Sequence, residues 1–226
     1  MKPLLVLAAF PVVLMGWASC SHSGTGHAAL PDPRAVDKSV PEYKNPFHPS
    51  TYAHFVARKD YRKTYDVYKD DTLLNRQPKK SRKIFVCLDE QRGQYLVDGL
   101  VAMDFPLSSG VKAYPTKTGD YAVISKKEDH TSNLYGKMYD AEGKCINYNA
   151  ESTDPIPEGG RFDGSPMPYW QRLTNAGLGL HVGKVRRHPV SHGCVRLPRN
   201  VAEILYRQTS IGTPVTIRKT PLPVPE

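Results

Sequence analysis

The pattern of hydrophobic and polar positions predicts a series of short β-strands that begins near Lys83. Apolar side chains are continuous from Ile84 to Leu88 and alternate with other residues between 119 and 126, and both patterns are typical of strands. A turn signal at Arg92-Gly93 separates the first predicted strand from the second, and one at Asp98-Gly99 separates the second from the third. The predicted strands are 84–88, 94–97, 100–107, 119–126, 178–182 and 215–218.

One helix is predicted late in the chain, over 201–208, where apolar positions recur at helical spacing. Asn200 is a good N-cap residue, and Glu203 completes a capping box. Several short strands with one late helix predict a mainly β domain, which we bound at 83–219. At about 140 residues it is large enough for one hydrophobic core. A proline-rich tail, 220–226, follows it.

The pattern is weaker upstream of this domain. Residues 20–50 are rich in Ser, Gly, His and Pro and hold few large apolar side chains, which is typical of a flexible tether. Residues 51–82 are predicted to form a helical or irregular extension. Tyr61, Tyr65 and Tyr68 have the spacing of one helix face, and we expect that face to pack on the domain.

The N-terminus predicts export. In residues 1–19, a positively charged start precedes an apolar run that is too short for a permanent transmembrane helix, as in a signal peptide. Ala18-Ser19 before Cys20 resembles a bacterial lipobox, whose cysteine is lipidated after cleavage, although Trp17 departs from the usual aliphatic residue. Cleavage after Ala18 by an ordinary signal peptidase is the alternative. We expect a periplasmic or envelope protein, tethered to the membrane by lipid at Cys20.

The net charge indicates which kinds of surface or polymer the protein would bind. Lys and Arg number 31 against 22 Asp and Glu, which gives a formal net charge of +9. A basic exported protein favours anionic lipid head groups or cell-wall polymers rich in carboxylates. We expect no nucleic-acid partner, because export argues against it and no nucleic-acid-binding motif is present.

The densest chemistry lies in Ser191-His192-Gly193-Cys194-Val195-Arg196, downstream of His181. A thiolate is a strong nucleophile, and a nearby imidazole is the usual means of forming it at neutral pH. Gly193 allows a tight turn that aims backbone N–H groups at a developing oxyanion. This stretch predicts an enzyme with Cys194 as nucleophile and His181 as proton acceptor and donor.

Other interpretations of these residues remain open. Cys194 could be an inert buried thiol and His181 a core histidine with satisfied hydrogen bonds. His188 and His192 could join them in a zinc site. Pro189 argues against zinc, because it breaks any helix between the two histidines and zinc ligands usually come from stable elements. We expect no metal and no cofactor.

The other cysteines depend on these assignments. If Cys20 is lipidated and Cys194 is the nucleophile, Cys87 and Cys145 remain as a pair. An oxidising compartment permits a disulfide between them. The alternative is two buried thiols, since Cys87 lies in an apolar strand and spacing alone does not establish that the two meet.

The order of strands, with a His strand and a Cys loop before the final helix, resembles the L,D-transpeptidase (YkuD-type) catalytic domain over residues 83–218. The loop fits the family's S/T-H-G-C-hydrophobic-N/R signature, and further segments fit its G-hydrophobic-H, S-x-G…PT-x-x-G and periplasmic MPY…HxG…PxSHGCxRLP patterns. The matching segments are Ser109-Gly110, Pro115 to Gly119, Met167 to Trp170, Gly179 to His181, and Ser191 to Pro198. Only nine residues separate His181 from Ser191, fewer than in many relatives.

The resemblance implies a β-sandwich-like fold and a peptidoglycan L,D-transpeptidase. Cys194 would attack the carbonyl of the diaminopimelate–D-alanine bond in a tetrapeptide stem, releasing D-alanine and forming a thioester. His181 would move the proton, oriented by the backbone carbonyl of Val182 as in the family. Backbone amides around Gly193 would hold the oxyanion.

The resemblance also implies roles for the surrounding side chains. Ser191 and His192 would shape the catalytic loop, and Arg196 would bind a stem carboxylate through paired hydrogen bonds. Tyr169 and Trp170 would form walls of the substrate cleft.

The resemblance leaves the acceptor of the acyl group open. An amine of another stem gives a 3→3 cross-link, a lysine of an outer-membrane protein gives a wall anchor, a free D-amino acid gives exchange, and water gives L,D-carboxypeptidase trimming. A non-catalytic wall-binding lipoprotein is the rival from another class, but it would lose Cys194 or His181, and both are present. Cysteine endopeptidases of wall peptides place Cys before His, the reverse of the order here.

Overall fold

Three β-sheets and three short helices make up residues 31–77 and 81–221, which are the part of the chain that the computed structural model describes. The helices are α1 (Tyr52–Ala57), α2 (Asp71–Asn75) and α3 (Arg199–Gln208). The strands are β1 (Tyr68–Lys69), β2 (Arg82–Cys87), β3 (Arg92–Val97), β4 (Leu100–Pro106), β5 (Gly119–Ala122), β6 (Ser125–Lys127), β7 (Thr131–Tyr139), β8 (Cys145–Glu151), β9 (Arg161–Pro166), β10 (Trp170–Arg172), β11 (Gly179–Val182), β12 (Val195–Leu197) and β13 (Pro214–Arg218).

The largest sheet has six strands in the order β1-β4-β3-β2-β13-β5. Strands β2, β3 and β4 form an antiparallel meander, and the last strand of the chain, β13, lies parallel to β2. The β3–β4 turn holds Asp98 and Gly99 at φ values of 51° and 83°, as the Asp-Gly turn signal predicts. Each of the six predicted strand ranges overlaps an observed strand, but 119–126 is divided into β5 and β6, which belong to different sheets, and the turn predicted at Arg92-Gly93 lies within β3.

A second sheet, in the order β12-β11-β10-β6, packs on the first through a shared apolar core. Ile84 and Val86 from the first sheet, Leu180 and Val195 from the second, and Leu205 from α3 are all almost fully buried. Burying side chains of this size stabilises the fold by about 1.5–3 kcal/mol each. The predicted class, a mainly β, sandwich-like domain with a helix after the Cys motif, is confirmed.

The third sheet, β8-β7-β9, is absent from the predicted elements. Most of its side chains are at least partly exposed, so its strands lack the hydrophobic pattern that marks the others. Two glycines allow close backbone approach: a Cβ on Gly136 would lie 2.1 Å from the carbonyl oxygen of Asp163, and one on Gly164 would lie 1.9 Å from that of Ser132. This sheet forms one wall of the cavity described below.

The N-terminal extension does not present its tyrosines on one helix face, so that prediction is wrong. Helix α1 ends at Ala57, before all three tyrosines. Tyr61 is buried and its hydroxyl donates to the carboxylate of Asp104, at 2.9 Å, whereas Tyr65 is exposed. Tyr68 lies in β1, opposite Asp104 at the edge of the first sheet. The chain leaves the helix because these polar and strand contacts with β4 outweigh the helical spacing.

The predicted tether is anchored over its described part, residues 31–50, which corrects the expectation of flexibility there. The Arg34 guanidinium pairs with Glu90 at 2.8 Å. Lys38 Nζ and the Tyr43 hydroxyl donate to backbone carbonyl oxygens of α1, at 2.6 and 2.8 Å, and Phe47 is buried. Charged and aromatic side chains spaced along a polar segment fix it to the domain.

Helix α3 starts earlier than predicted. It begins at Arg199, and its N-cap is Pro198, at φ −57°, with no side-chain capping bond. Strand β12 ends one residue earlier, and a proline at this φ leads directly into the helix. Asn200 therefore lies inside the first turn, and Glu203 pairs with Arg207, at 2.6 Å, instead of completing a capping box.

Several predicted features lie outside the described residues: the signal peptide over 1–19, lipidation of Cys20, the start of the tether, and the tail beyond 221. Among the residues that are described, no helix is both long and apolar enough to cross a membrane.

Candidate active site

His181 is held rigidly in strand β11. Its side chain is 6% exposed, and its Nδ1 atom lies 2.7 Å from the backbone carbonyl oxygen of Val182. Burial lowers the pKa of His181 to about 4, and the positive charges of Arg196 and His130 act in the same direction. The imidazole is therefore neutral near pH 7 and able to accept a proton.

Cys194 lies immediately before strand β12. Its Sγ donates to the carbonyl oxygen of Gly177, at 3.2 Å. Burial raises the pKa of the Cys194 thiol, while the backbone amide of Gly179 and the charge of Arg196 oppose that rise. The resting pair consequently consists of a neutral thiol and a neutral imidazole.

The register of the second sheet aligns these groups on one face. Leu180 pairs with Val195, and His181 with Arg196, in the parallel β11–β12 ladder. Leu180 and Val195 point into the core, so their strand neighbours point to the opposite face. Cys194, one residue before Val195, thus lies beside Gly179 on the same face as His181 and Arg196.

The loop from Ser191 to Gly193 is fixed by hydrogen bonds within it. The buried Ser191 hydroxyl donates to the carbonyl oxygen of Cys194 and accepts from the Gly193 N–H, at 3.2 Å. Gly193 has φ of 109°, a conformation that favours glycine. Thr116 Oγ1 donates to the Gly193 carbonyl at 2.6 Å and accepts from the Gly110 N–H at 2.8 Å. This network sets the path of the chain into Cys194.

His192 points to the rim of the site. Its ring stacks on Tyr135 of the third sheet, with centroids 4.3 Å apart and planes at 15°, and lies 4.8 Å from the ring of Tyr114. These contacts join the catalytic loop to strand β7.

A cavity of about 690 Å³ opens over the sheet face. The predicted site residues that line it are Cys194, His181, Ser191, His192, Gly193, Arg196 and Trp170. The Trp170 ring is 3% exposed and lies 6.0 Å from His181 and 5.0 Å from His130, centroid to centroid.

Tyr169 departs from its predicted place. It does not line this cavity, and its ring packs 5.6 Å from that of Tyr206 in α3. Tyr169 has φ of 55°, and it precedes β10, in which Trp170 faces the cavity. The substrate contact predicted for Tyr169 is therefore not supported.

The possible disulfide between Cys87 and Cys145 is not formed, because both are free thiols. Cys87 is buried at the end of β2 in the first sheet, and its Sγ donates to the carbonyl oxygen of Lys219 at 3.1 Å. Cys145 is partly exposed at the start of β8 in the third sheet. The two residues belong to different sheets, so strand packing keeps them apart.

Sequence reasoning missed Arg172, which lines the cavity, and Thr116, which holds the carbonyl of Gly193. Thr116 lies in the Pro115–Gly119 segment, whose threonine was noted only as part of a motif. Arg172 follows Trp170 by two residues in β10, so strand periodicity puts both side chains on the same face. His130 also lines the cavity.

The alternative zinc site finds no matching geometry in the described ranges. Within them, no group of three or more His, Cys, Asp or Glu side chains is arranged to hold a metal ion. His188 is exposed, with Nδ1 beside its neighbour's carbonyl, and His192 is engaged in ring stacking.

Comparisons with known proteins give consistent matches. A family model described as YkuD, L,D-transpeptidase catalytic domain, matches residues 81–217. The chain is 31% identical over 121 residues to probable L,D-transpeptidase 3 of Mycobacterium tuberculosis, covering 50% of this chain and 38% of that protein.

Two solved structures are also similar to the chain. An L,D-transpeptidase from Mycobacterium smegmatis has 21% identity and a TM-score of 0.47, with 61% of this chain and 58% of that one covered. A mutant L,D-transpeptidase from Enterococcus faecium has 28% identity and a TM-score of 0.45, with 62% and 50% covered. The chain spans less than two thirds of the length of each of these relatives.

Proposed function

The chain belongs to the YkuD family of L,D-transpeptidase catalytic domains, and on this premise we propose that it transfers peptidoglycan tetrapeptide stems through a thioester on Cys194. One observation supports this most. A neutral imidazole and a neutral thiol share one sheet face, beside the guanidinium of Arg196. Such a pair transfers a proton only when a substrate carbonyl is present to be attacked.

In the first half-reaction, His181 Nε2 takes the thiol proton as Cys194 Sγ bonds to the carbonyl carbon of the diaminopimelate–D-alanine bond. The carbonyl π electrons move to oxygen and form a tetrahedral oxyanion. When this intermediate collapses, the C–N bond breaks and the leaving nitrogen takes the proton from the His181 imidazolium. D-alanine departs, and the stem stays on Cys194 as a thioester.

The oxyanion needs N–H donors from the catalytic loop. The Gly193 amide already donates to Ser191 Oγ, so we assign the role to the amides on either side of it, those of His192 and Cys194. Among the described residues, nothing accepts a hydrogen bond from these two amides. Gly193 then contributes the left-handed turn that exposes them.

In the second half-reaction, an acceptor amine attacks the thioester carbonyl. His181 Nε2 takes a proton from the attacking nitrogen and returns it to the Cys194 sulfur as the C–S bond breaks. An amide forms, and the neutral pair is restored. Arg196 is the proposed ligand for a stem carboxylate, and Trp170 forms a wall of the cleft beside His181.

The test is a purified-enzyme assay with a disaccharide tetrapeptide, following D-alanine release and the mass of the Cys194 peptide. We expect a thioester adduct on Cys194, and no release from Cys194→Ala. Cys145→Ala is the matched control, because this free thiol lies outside the site. Labelling by a carbapenem should likewise fall on Cys194 alone.

The products separate the candidate activities. A tripeptide formed at equal rates with and without acceptor amine would indicate L,D-carboxypeptidase trimming. Muropeptide binding without D-alanine release, and without an adduct on Cys194, would overturn the enzyme and favour a wall-binding lipoprotein.

We further propose that the protein works in the cell envelope, exported by residues 1–19 and anchored through lipid on Cys20. The net charge of +9 suits anionic lipid and wall polymers. Metabolic labelling with a fatty acid in a bacterial host tests this: wild type should carry the label, and Cys20→Ala should not. An unlabelled wild-type protein in the soluble fraction would indicate ordinary signal-peptidase cleavage.

A further inference from the structure

Arg172 shares the sheet face of the catalytic pair. It lies opposite Gly179 in the antiparallel β10–β11 ladder, and Gly179 lies beside Cys194. Neighbouring strands are about 4.8 Å apart, so the Cα atoms of Arg172 and Cys194 are about 10 Å apart, with a glycine between them. An arginine side chain and one amino-acid unit of substrate fit in that space.

The guanidinium of Arg172 has no hydrogen-bond or ion-pair partner among residues 31–77 and 81–221. Among the arginines of the described ranges that are buried or half-buried, all but Arg172 and Arg196 have a carboxylate or carbonyl acceptor. These two exceptions line the same cavity. A guanidinium that lines a cavity and is not committed to an acceptor in the protein is available to bind an anionic ligand through charge-assisted hydrogen bonds.

The surroundings of Arg172 are positive as well. Of the described residues that line the cavity, Lys117, Lys184 and the two arginines are cationic, and none is Asp or Glu. His130 lies close enough that burial and the charges of Lys127 and Arg172 lower its pKa, so it stays neutral. The charges of the cavity thus favour anionic ligands.

We infer that Arg172 binds an α-carboxylate in both half-reactions: that of the leaving D-alanine in the first, and that beside the attacking amine of the acceptor in the second. This inference rests on the proposed function. The leaving D-alanine carries a carboxylate on the carbon that bears its nitrogen. The incoming amine reverses the same bond and takes the same position. A diaminopimelate amine with an adjacent carboxylate, or a free D-amino acid, offers Arg172 the same group.

This assignment selects among the possible acceptors. A protein lysine has no carboxylate beside its ε-amine, and water has none. Arg172 therefore favours 3→3 cross-linking and D-amino-acid exchange over protein anchoring and trimming. Arg196, two residues beyond Cys194 in the chain and beside His181, remains available for a carboxylate of the donor stem.

The experiment compares carboxylate and carboxamide forms of both amines. For the donor step, wild type, Arg172→Gln and Arg172→Lys are assayed with tetrapeptides that end in D-alanine or D-alaninamide. For the acceptor step, the thioester reacts with D-alanine, D-alaninamide or water. Arg199→Gln, at an exposed arginine of α3, is the control. We expect Arg172→Gln to lower kcat/KM for the carboxylate forms by about 10–100-fold and to leave the carboxamide forms and hydrolysis unchanged. Arg172→Lys should retain part of the preference.

The arms distinguish the sources of the carboxylate. An effect on both half-reactions supports the shared position. An effect on the donor alone would limit Arg172 to the leaving D-alanine and would overturn its role in the choice of acceptor. Equal losses with carboxylate and carboxamide, or a wild type with no preference, would overturn the inference.

Failure of the proposed function would be seen separately. Binding of the two tetrapeptides, which end in D-alanine or D-alaninamide, is measured with Cys194→Ala, because this measurement needs no turnover. The D-alanine form should bind more tightly than the D-alaninamide form to Cys194→Ala, and the two should bind equally to Cys194→Ala/Arg172→Gln. If no D-alanine is released but this difference persists, the carboxylate site stands and the transferase does not. If the difference is absent, Arg172 binds no substrate carboxylate.

Discussion

The Nδ1 atom of His181 lies 2.7 Å from the backbone carbonyl oxygen of Val182, the next residue in the same strand. Because a carbonyl oxygen only accepts hydrogen bonds, Nδ1 carries the ring proton, and Nε2 keeps its lone pair. The strand backbone thereby sets the tautomer that a general base requires. Burial and the charge of Arg196 both oppose an imidazolium, so the base rests uncharged.

This relationship predicts the acid limb of the pH profile. Because the pKa of His181 is lowered to about 4, kcat/KM for D-alanine release should remain nearly constant from pH 7 to pH 5 and fall near pH 4. In Arg196→Gln, loss of the positive charge should move that limb to higher pH. A wild-type limb at the ordinary histidine value of 6.5 would contradict the buried, neutral state.

The same shift links stability to pH. In the folded protein His181 binds its proton only near pH 4, whereas in the unfolded chain it does so near 6.5. The unfolded state therefore binds more protons between these values, and the stability due to this group is complete above pH 6.5 and lost as pH falls to about 4. The loss is on the order of 1–3 kcal/mol. Urea unfolding at pH 7 and pH 5 should show a smaller change in His181→Gln than in wild type.

Arg187 connects the catalytic loop to the N-terminal extension. Its guanidinium donates to the backbone carbonyls of Thr64, Arg62 and Glu90, and its own φ is 60°. We expect Arg187→Ala to lower kcat about 10-fold, because the chain between His181 and Ser191 loses its anchor. Limited proteolysis should also cut the extension near residues 58–66 sooner.

The neighbouring Arg186 provides the matched control for that variant. Its side chain is exposed, and its backbone N–H donates to Ser108 Oγ at 2.8 Å. Arg186→Ala should leave both readouts near wild type. Equal effects of the two substitutions would indicate that loop charge matters, rather than the Arg187 contacts.

Gly110 is predicted to tolerate no side chain. A Cβ there would lie 2.1 Å from the carbonyl oxygen of Tyr114 and 2.8 Å from the Cα of Gly193. Both neighbours are backbone atoms, so the loop leading to Cys194 must shift. A displacement of about 1 Å at the nucleophile costs about 10²-fold in rate, which we expect for kcat of Gly110→Ala.

Gly143→Ala serves as the comparison. Its Cβ would meet nothing within 4 Å, although its φ is 79°, so the substitution should cost about 1–2 kcal/mol of backbone strain and leave kcat intact. A Gly110→Ala enzyme with wild-type kcat would show that the loop adapts without moving Cys194.

Asp104 is predicted to be the most sensitive charge for folding. It pairs with Arg92, and the two side chains are 0% and 1% exposed. It also accepts hydrogen bonds from the hydroxyls of Tyr52 and Tyr61, at 2.7 and 2.9 Å. Asp104→Ala leaves a buried guanidinium without its carboxylate and should lower the free energy of unfolding by about 3–5 kcal/mol, measured by urea titration.

The exposed Arg207–Glu203 pair of α3 offers the contrast. Its partners lie one helical turn apart and the arginine is largely exposed, so Glu203→Ala should change the free energy of unfolding by less than about 1 kcal/mol. If Asp104→Ala lowered the free energy of unfolding by no more than Glu203→Ala does, the buried ion pair and its hydrogen bonds would add little to stability.

The local sequence pattern was sufficient to predict the elements that are determined by neighbouring residues. Ile84 to Cys87 lies in a strand because continuous apolar side chains require burial on both faces. Asp98-Gly99 forms a tight turn because both residues tolerate positive φ. Cys194 and His181 could be predicted as a catalytic pair because a short motif contains the first and one upstream strand contains the second.

Contacts between distant segments decided the rest. The extension departs from a helix because Tyr61 and Tyr68 meet Asp104 of β4, some forty residues away. Cys87 and Cys145 stay apart because they belong to different sheets. Arg172 lines the cavity because the β10–β11 register sets it opposite Gly179 on that face of the sheet. The free energy of strand pairing and burial depends on contacts between segments that are distant in the sequence, so it cannot be read from any local stretch of residues.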